Sequence, residues 1–172
     1  MGRKYAPNRV SRERMFHALA QLTAEQPFSA ITVTEIAERG GTSRMAYYRN
    51  YREKEDIVRL YFEDLIEGVL KKNGEKKDIL PLIRDVLTAL AEEAEAILCF
   101  WQASLGACFL EGLETALKML FPEKEEKLYL PAFWGGALYG VCVKWIEGGM
   151  KESPDALADL CCRVAASPAK AL

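Results

Sequence analysis

The stretch from residue 31 to residue 58, ITVTEIAERGGTSRMAYYRNYREKEDIV, contains the local signals that decide the fold. Thr32 and Glu35 have the spacing of a capping box, in which the hydroxyl accepts the N3 amide and the carboxylate reaches back to the cap residue. A short helix is therefore predicted to begin at Thr32. It ends at Gly40 and Gly41, because two glycines let the backbone enter a left-handed turn at little cost.

Another short helix follows this glycine turn. Thr42 or Ser43 can cap its first amides, and it extends to about Asn50. A core helix would not tolerate so many cations, and a purely solvated helix would not need two adjacent tyrosines. Helical geometry places four of its residues on one face: Arg44, Met45, Tyr48 and Arg49. Two short helices around a glycine turn, the second with cations on one face, predict a helix-turn-helix.

The remainder of the chain is also predicted to be helical, because apolar residues recur three and four positions apart and no sustained alternation is present. We therefore expect an all-α fold with about nine helices and a flexible basic arm over residues 1–10. The expected helices are Ser11–Gln26, Thr32 to the glycine pair, Ser43–Asn50, Glu53–Asn73, Asp78–Glu93, 94–104, Leu105–Phe121, Leu128–Met150 and a last helix capped by Ser153.

Charge is distributed unevenly along the chain. Residues 1–60 hold eleven Lys and Arg against seven Asp and Glu, a net charge of +4, whereas residues 61–172 have a net charge of −6. A basic front on an acidic body indicates an anionic partner for the front alone.

Composition argues against several other classes of protein. No apolar run approaches the roughly 18 residues of a membrane span, and no secretory signal is evident, so we expect a cytoplasmic protein without a membrane partner. The single histidine, His17, and the absence of a Cys-x-x-Cys pair predict no metal site and no cofactor. Cys161 and Cys162 are adjacent; small buried side chains are the favoured interpretation, and a redox trigger is the alternative.

Residues 10–60 closely resemble the DNA-binding region of the tetracycline-repressor (TetR) family of bacterial transcription regulators. The matching positions are Met15-Phe16, Ala18-Leu19, Leu22, Thr32-Val33, Ile36-Ala37, Gly41-Thr42-Ser43, Tyr48, Asn50-Tyr51 and Lys54-Glu55. The resemblance implies a DNA-binding domain over residues 1–54, which includes the basic arm, and a helical ligand-binding and dimerisation domain over residues 55–172.

The resemblance also implies roles for the shared face of the second short helix, which would enter the DNA major groove. Arg44 and Arg49 can donate bidentate hydrogen bonds to guanine, and Met45 can contact a thymine methyl group. Tyr48 matches a tyrosine that meets the DNA backbone or a base edge. Asn50 matches a phosphate-contacting position.

Further positions are expected to contact the DNA backbone. Thr32 and Thr34 match backbone and occasional base contacts, and Lys54 matches another phosphate-contacting position. Ser43, at the start of the same helix as Arg44, completes the predicted DNA-binding set. Tyr47 matches a buried apolar position, so we expect it in the core.

Some positions depart from the family pattern or leave alternatives open. Ala46 stands where the family commonly has threonine, so one phosphate hydrogen bond is expected to be absent, and Glu53 replaces a usual serine cap. Arg3, Lys4 and Arg9 of the arm are equally compatible with minor-groove contacts and with a tail that contacts nothing.

The acidic body contains FWGGALYGVCVKWIEGGMKESPDALADL, residues 133–160, which resembles the dimerisation helices of one subgroup of these regulators. We expect small residues on one face to let a second subunit approach; they are Ala132, Gly136, Gly140 and Val143. Contact with the chain's own helices alone is the alternative. Aromatic residues are predicted to line an effector cavity, although core packing is the commoner use of such residues; they are Phe100, Trp101, Phe109, Phe133 and Trp134.

The sequence therefore predicts a one-component transcription regulator, usually a repressor in this family. It would bind a palindromic double-stranded operator as a homodimer and be released by an unidentified small-molecule effector. The alternative is an accessory member that acts through a protein partner. An enzyme is not expected, because the chain has no nucleophile motif and no phosphate-binding loop.

Overall fold

The structure is a computed structural model that describes residues 6–73, 79–121 and 126–166. Within these ranges it contains nine α-helices, two short 3-10 turns and no strand, which confirms the expected all-α fold. The helices are α1 Ala6–Glu25, α2 Val33–Arg39, α3 Arg44–Asn50, α4 Glu55–Asn73, α5 Ile79–Glu92, α6 Ala94–Gln102, α7 Gly106–Leu117, α8 Glu126–Glu147 and α9 Pro154–Ala166. The expected cap residue Asp78 lies outside the described residues.

The first helix corrects the prediction for the arm. α1 begins at Ala6, so residues 6–10 are helical and only residues 1–5, including Arg3 and Lys4, are not described. Pro7 lies in the first turn, where a missing N–H costs little. Arg9 pairs with Glu13 one turn further along, at 2.9 Å, which is a favourable spacing on a helix. Arg9 therefore lies on the helix and not in an extended arm.

The start of α2 forms as the sequence predicts. Thr32 is its N-cap, and both halves of the capping box with Glu35 are present. The Thr32 hydroxyl accepts the Glu35 amide at 3.2 Å, and the Thr32 amide donates to the Glu35 carboxylate at 2.7 Å. Gly41 then adopts a φ of 58°, a left-handed conformation that favours glycine. The turn between α2 and α3 therefore has the predicted chemistry.

α4 connects the two halves of the molecule. It packs against α1 of the N-terminal half and against α5 and α7 of the C-terminal half. α4 and α7 approach closely at Gly112 of α7, where a Cβ atom would lie only 2.5 Å from the Arg59 carbonyl oxygen of α4. A residue larger than glycine would therefore push the two helices apart.

α1 also contacts the body directly. The Phe16 ring stacks on Tyr61 of α4, with ring centroids 3.6 Å apart, and lies 5.2 Å from the Phe100 ring of α6. The Tyr61 hydroxyl donates to Glu93, and His17 lies 3.8 Å from the same carboxylate. One continuous apolar core extends through both halves of the chain as a result.

The end of α8 differs from the expected position. α8 ends at Glu147, and not at Met150, because Gly149 and Met150 take φ values of 81° and 50° and turn the backbone out of the helix. The Trp145 indole N–H donates to the Glu152 carbonyl at 3.0 Å across this turn. The chain then returns as α9, which packs against α5.

Candidate nucleic-acid interface

α3 has one buried side, which holds it to its neighbours. Ser43 caps its first turn by accepting the Ala46 amide at 3.1 Å. Tyr47 is only 2% exposed, and its ring packs against those of Tyr48 and Tyr51. Burial raises the pKa of the Tyr47 hydroxyl to about 12. Tyr47 is therefore a core residue, as the sequence indicates.

The opposite side of α3 is open to solvent. Met45 is 77% exposed and Tyr48 is 56% exposed, and Arg44 and Arg49 are both exposed as well. A methionine as exposed as Met45 gains nothing from folding, because its apolar surface stays in water. The structure thus brings the four predicted major-groove residues together on one free face.

Ala46, which stands where the family commonly has threonine, faces inward. It is 6% exposed, so a side chain there has little access to a ligand. Its carbonyl accepts the Asn50 side-chain amide at 2.7 Å, one turn along the helix. Asn50 is half-buried and uses one of its donors within the helix. A phosphate contact by Asn50 therefore requires its second N–H or a change of rotamer.

The predicted residues of α2 occupy the start of that helix. Thr32 and Thr34 are both exposed, and Ser43 at the start of α3 is exposed too. The Thr32 hydroxyl accepts one hydrogen bond and donates to Glu35 at 2.7 Å, so its single O–H donor is used within the cap. Thr34 carries the freer hydroxyl of the two.

Lys54, which is predicted to contact a phosphate, also makes contacts within the chain. Its ammonium group donates to the Phe28 carbonyl at 2.8 Å and to the Ile31 carbonyl at 2.6 Å, and it lies 4.5 Å from the centre of the Phe28 ring. These contacts join the start of α4 to the turn before α2. Only one of the three ammonium N–H groups is left for DNA.

A buried carboxylate in the first turn of α4 organises the corner between α3 and α4. Asp56 is 4% exposed and accepts the backbone amides of Arg52 at 2.9 Å and Glu53 at 3.3 Å. Burial opposes its ionised form, but these amides and the Arg59 guanidinium outweigh that effect and lower the pKa of Asp56. The signal for it in the sequence is an acidic residue in the first turn of a helix.

Internal pairing divides the arginines of the described N-terminal half into two groups. Carboxylates hold Arg9, Arg12, Arg39 and Arg59. Among the described residues no carboxylate lies within ion-pair distance of Arg14, Arg44, Arg49 or Arg52, all of them exposed. The unpaired group contains both arginines of the open α3 face, so positive charge is available there.

The five aromatic residues predicted to line an effector cavity do not share one location. Phe100 and Phe109 are 1% and 2% exposed and pack in the core, against Phe16 and Phe62 respectively. Trp101 and Phe133 are 41% and 65% exposed, and Trp134 is half-buried beside Phe133. The structure therefore does not assemble the predicted set into one cavity. Phe133 in particular belongs to the outer surface.

Three of the four residues predicted to form the dimer contact are exposed on the outer face of α8. Ala132, Gly136 and Gly140 are exposed, and a Cβ atom at either glycine would meet nothing within 4 Å. The fourth residue, Val143, is only 3% exposed and belongs to the chain's own core. The prediction for Val143 is therefore corrected: this side chain is not available to a second subunit.

The remaining expectations concern cysteines, metals and membranes. Cys161 and Cys162 are both half-buried, and burial raises the pKa of the Cys161 thiol, which makes the reactive thiolate scarcer. No group of three potential metal ligands occurs among the residues that the structure describes. Over the same residues, none of the helices combines the length and the apolar character that crossing a bilayer requires.

Comparison with known proteins agrees with this architecture. Residues 16–60 match the family model described as bacterial regulatory proteins of the tetR family, and residues 77–167 match the model described as a transcriptional regulator C-terminal region. No curated protein sequence matches the chain.

Several solved structures share the fold. Lin0861 from Listeria innocua has 12% sequence identity and a TM-score of 0.73, with 91% of this chain and 90% of that chain covered. The fatty acid degradation regulator FadR from Bacillus halodurans has 17% identity and a TM-score of 0.59, with 98% and 99% covered. A TetR transcriptional regulator from Rhodococcus sp. RHA1 has 16% identity and a TM-score of 0.53, with 94% and 99% covered.

The two family matches extend over the helix-turn-helix and over most of the body, and the exposed α3 face lies within the first of them. The chain therefore belongs to the TetR family of bacterial transcriptional regulators, with a DNA-binding helix-turn-helix at its N-terminal end.

Proposed function

We propose that the protein is a homodimeric, one-component repressor, which binds a palindromic operator through α3 and is released from it by a small-molecule effector. The observation that carries the proposal is the open face of α3. Arg44 and Arg49 are exposed on it without an ion-pair partner, beside the exposed Met45 and Tyr48. Arginine side chains that are left unpaired at the surface can form bidentate bonds with guanine O6 and N7.

The chemistry of the face gives each residue a different part. Arg44 and Arg49 read base edges, Met45 contacts a thymine methyl group, and Tyr48 contacts the backbone or a base edge. Thr32, Thr34, Ser43 and Asn50 complete the set around it as backbone contacts. Since base contacts carry sequence information and phosphate contacts do not, the residues of the α3 face that contact bases, with Arg44 and Arg49 foremost, determine the operator sequence.

A second copy of the chain is the expected occupant of the outer face of α8. This face combines small residues with large apolar side chains that water covers in the single chain, and α9 carries further exposed apolar side chains. Its exposed members are Leu128, Tyr129, Ala132, Phe133, Gly136, Ala137, Gly140, Leu160 and Val164. An isologous contact between two such faces gives the two-fold symmetry that a palindromic operator requires.

Effector control requires a physical connection between the body and α3. Two connections support the proposal: α4, which packs on both halves, and the contact of Phe16 with Phe100. A ligand among the body helices that favours one position of α4 shifts the populations of the two states of the protein, the one that binds the operator and the one that releases it. The expected coupling free energy is about 1–3 kcal/mol.

The proposed domain division assigns DNA binding to one part of the chain and effector binding and dimer formation to the other. Residues 1–54 form the DNA-binding unit and residues 55–172 the effector and dimer unit, with α4 shared structurally between them. A cytoplasmic location is consistent with a partner that is chromosomal DNA.

The test is selection of bound duplexes from a random DNA pool with the full-length protein at moderate salt. We expect an inverted repeat whose half-sites lie one helical turn, about 34–36 Å, or a multiple of it apart. Arg44→Ala should relax selection at one base pair per half-site, at a cost of about 1–3 kcal/mol. Arg39→Ala is the matched control, because Arg39 is also exposed but is paired with Glu25 at 2.7 Å.

Two results would contradict the proposal. An unenriched pool would favour the alternative, an accessory member that acts through a protein partner. Enrichment of a sequence without inverted symmetry would contradict the homodimer while leaving DNA binding intact.

A further inference from the structure

The corner between α3 and α4 carries two cations whose environments differ sharply. The family resemblance predicts a phosphate contact for Lys54 at this corner. It predicts none for Arg52, two positions earlier. The structure gives Lys54 three internal contacts and gives the side chain of Arg52 none with a carboxylate among the described residues.

The side chain of Lys54 connects the start of α4 to the segment before α2. Its ammonium group bonds to the carbonyl of Phe28 in the 3-10 turn and to that of Ile31, the residue directly before the α2 cap Thr32. The Phe28 ring covers a further side of the ammonium group, in a cation–π contact. Moving Lys54 to a phosphate would leave two backbone carbonyls without these donors, and a charged hydrogen bond is costly to lose.

Arg52 is arranged in the opposite way. The residue before it, Tyr51, has extended backbone with φ −135° and ψ 146° and points inward, at 4% exposure. Successive side chains of extended backbone point to opposite sides, so that of Arg52 points outward, and it is exposed. Its backbone is fixed, because its amide donates to the buried Asp56 at 2.9 Å.

The charge of Arg52 is also not neutralised locally. Asp56 is already paired with Arg59 and is buried beneath the corner. Arg52 follows Arg49 of the open α3 face by three residues, so it extends the line of unpaired arginines beyond the end of the helix. A fixed backbone with an unpaired, solvent-facing guanidinium is suited to a phosphate, which accepts its N–H groups bidentately.

We propose that Arg52 is the phosphate-contacting cation of this corner, and that Lys54 is a positioning residue that holds the start of α2 against α4. The proposal rests on the operator binding proposed above and changes which residue serves the backbone. It makes opposite predictions for two neighbouring residues, so a single measurement separates them.

The measurement is the salt dependence of binding to a labelled duplex of random sequence and to the selected operator, together with thermal melting of each free protein. Each phosphate contact contributes about 0.9 to the slope of log Kobs against log salt, so loss of one per protomer changes the slope of a dimer by about 2. Arg52→Ala should show this change with an unaltered melting temperature. Arg39→Ala, which removes an exposed but paired arginine, should leave the slope unchanged.

Lys54→Gln removes the charge but retains two N–H donors, which favours folding of the variant. We expect its slope to equal that of the wild type and its melting temperature to fall by several degrees. Lys54→Met, which removes the donors as well, should melt lower still.

The proposal is overturned if Arg52→Ala keeps the wild-type slope, or if Lys54→Gln loses about 2 from the slope without any change in melting. Failure of the wild-type protein to bind either duplex would instead refute the proposed function, and this assignment of Arg52 with it. The melting of the Lys54 variants is measured without DNA and tests the positioning role in either case.

Discussion

Substitution of Gly112 by alanine gives a direct test of how closely α4 and α7 pack. The new Cβ atom would lie 2.5 Å from the Arg59 carbonyl oxygen, 3.1 Å from the Glu63 amide nitrogen and 3.1 Å from the Phe62 Cβ atom. The shortest of these is about 0.9 Å less than an ordinary contact, and it involves backbone, which cannot rotate away. The two helices must therefore move apart.

The magnitude is the difference between two opposing effects. Overpacking of a core contact costs about 1–3 kcal/mol, and the contact with backbone places this site toward the upper end. Alanine regains about 1 kcal/mol over glycine within a helix. We therefore expect Gly112→Ala to lower the free energy of unfolding by roughly 1–2 kcal/mol, or the melting temperature by about 2–8 °C for a chain of this size.

Gly68→Ala is the matched control. Gly68 lies on α4, is exposed, and a Cβ atom there would meet nothing within 4 Å. The same chemical change should therefore stabilise the protein by up to about 1 kcal/mol. Denaturant unfolding of both variants at one protein concentration measures the two effects, since the proposed dimer would make stability depend on concentration. If Gly112→Ala proves as stable as Gly68→Ala, the close approach of α4 and α7 is refuted.

Three further predictions concern separate parts of the molecule. Thr32→Ala should lower the free energy of unfolding by about 0.5–2 kcal/mol, because the capping box with Glu35 is lost, as measured by denaturant unfolding. Phe133→Glu should convert the proposed dimer to monomer in sedimentation experiments, because a carboxylate would enter the apolar face of α8. Asp56→Asn should destabilise the protein at neutral pH. The pKa of Asp56 is lower in the folded state than its unfolded value of about 4. The contribution of Asp56 to stability is therefore present above the unfolded pKa and is lost as pH falls through the lower folded pKa.

Controls for these variants come from the same elements. Thr34→Ala removes an exposed hydroxyl of α2 that is not the cap, and it should leave stability unchanged; equal losses for Thr32 and Thr34 would contradict the cap. Lys144→Glu introduces the same carboxylate at a charged position of α8 and should leave the proposed dimer intact. If this variant is monomeric and Phe133→Glu is not, the interface lies around Lys144 and not around Phe133. A stability difference for Asp56→Asn that persists undiminished at pH 2 would contradict the role of its charge.

Local chemistry made much of the fold predictable. The cap residues Thr32 and Ser43 determine where α2 and α3 begin, because each satisfies amides within three residues of itself. The end of α8 was less predictable, since Met150 leaves the helix only through a left-handed conformation that its residue type disfavours. The first helix was predicted to begin at Ser11, but it begins at Ala6, since Pro7 is tolerated in a first turn.

The candidate site was predictable only as far as residue type controls exposure. Arginine and methionine patterns placed Arg44 and Met45 correctly on the open face of α3. The contacts of Lys54 depend on carbonyls 23 and 26 residues away, which no local pattern indicates. Val143 has the right helical spacing for the outer face of α8, but spacing does not show where the chain's own helices cover that face.

The contact between Phe16 and Phe100 has a consequence for engineering. A chimera that grafts residues 1–54 onto the body of another regulator would retain Phe16 but replace both Tyr61 and Phe100, the rings that pack against it. The transferred DNA-binding domain would give the chimera a new operator specificity. It would also pack poorly against the new body, which would weaken the coupling between the two parts. Exchange of operator specificity in this protein is therefore better attempted within α3 alone, where the side chains that face solvent have no partner in the body to lose.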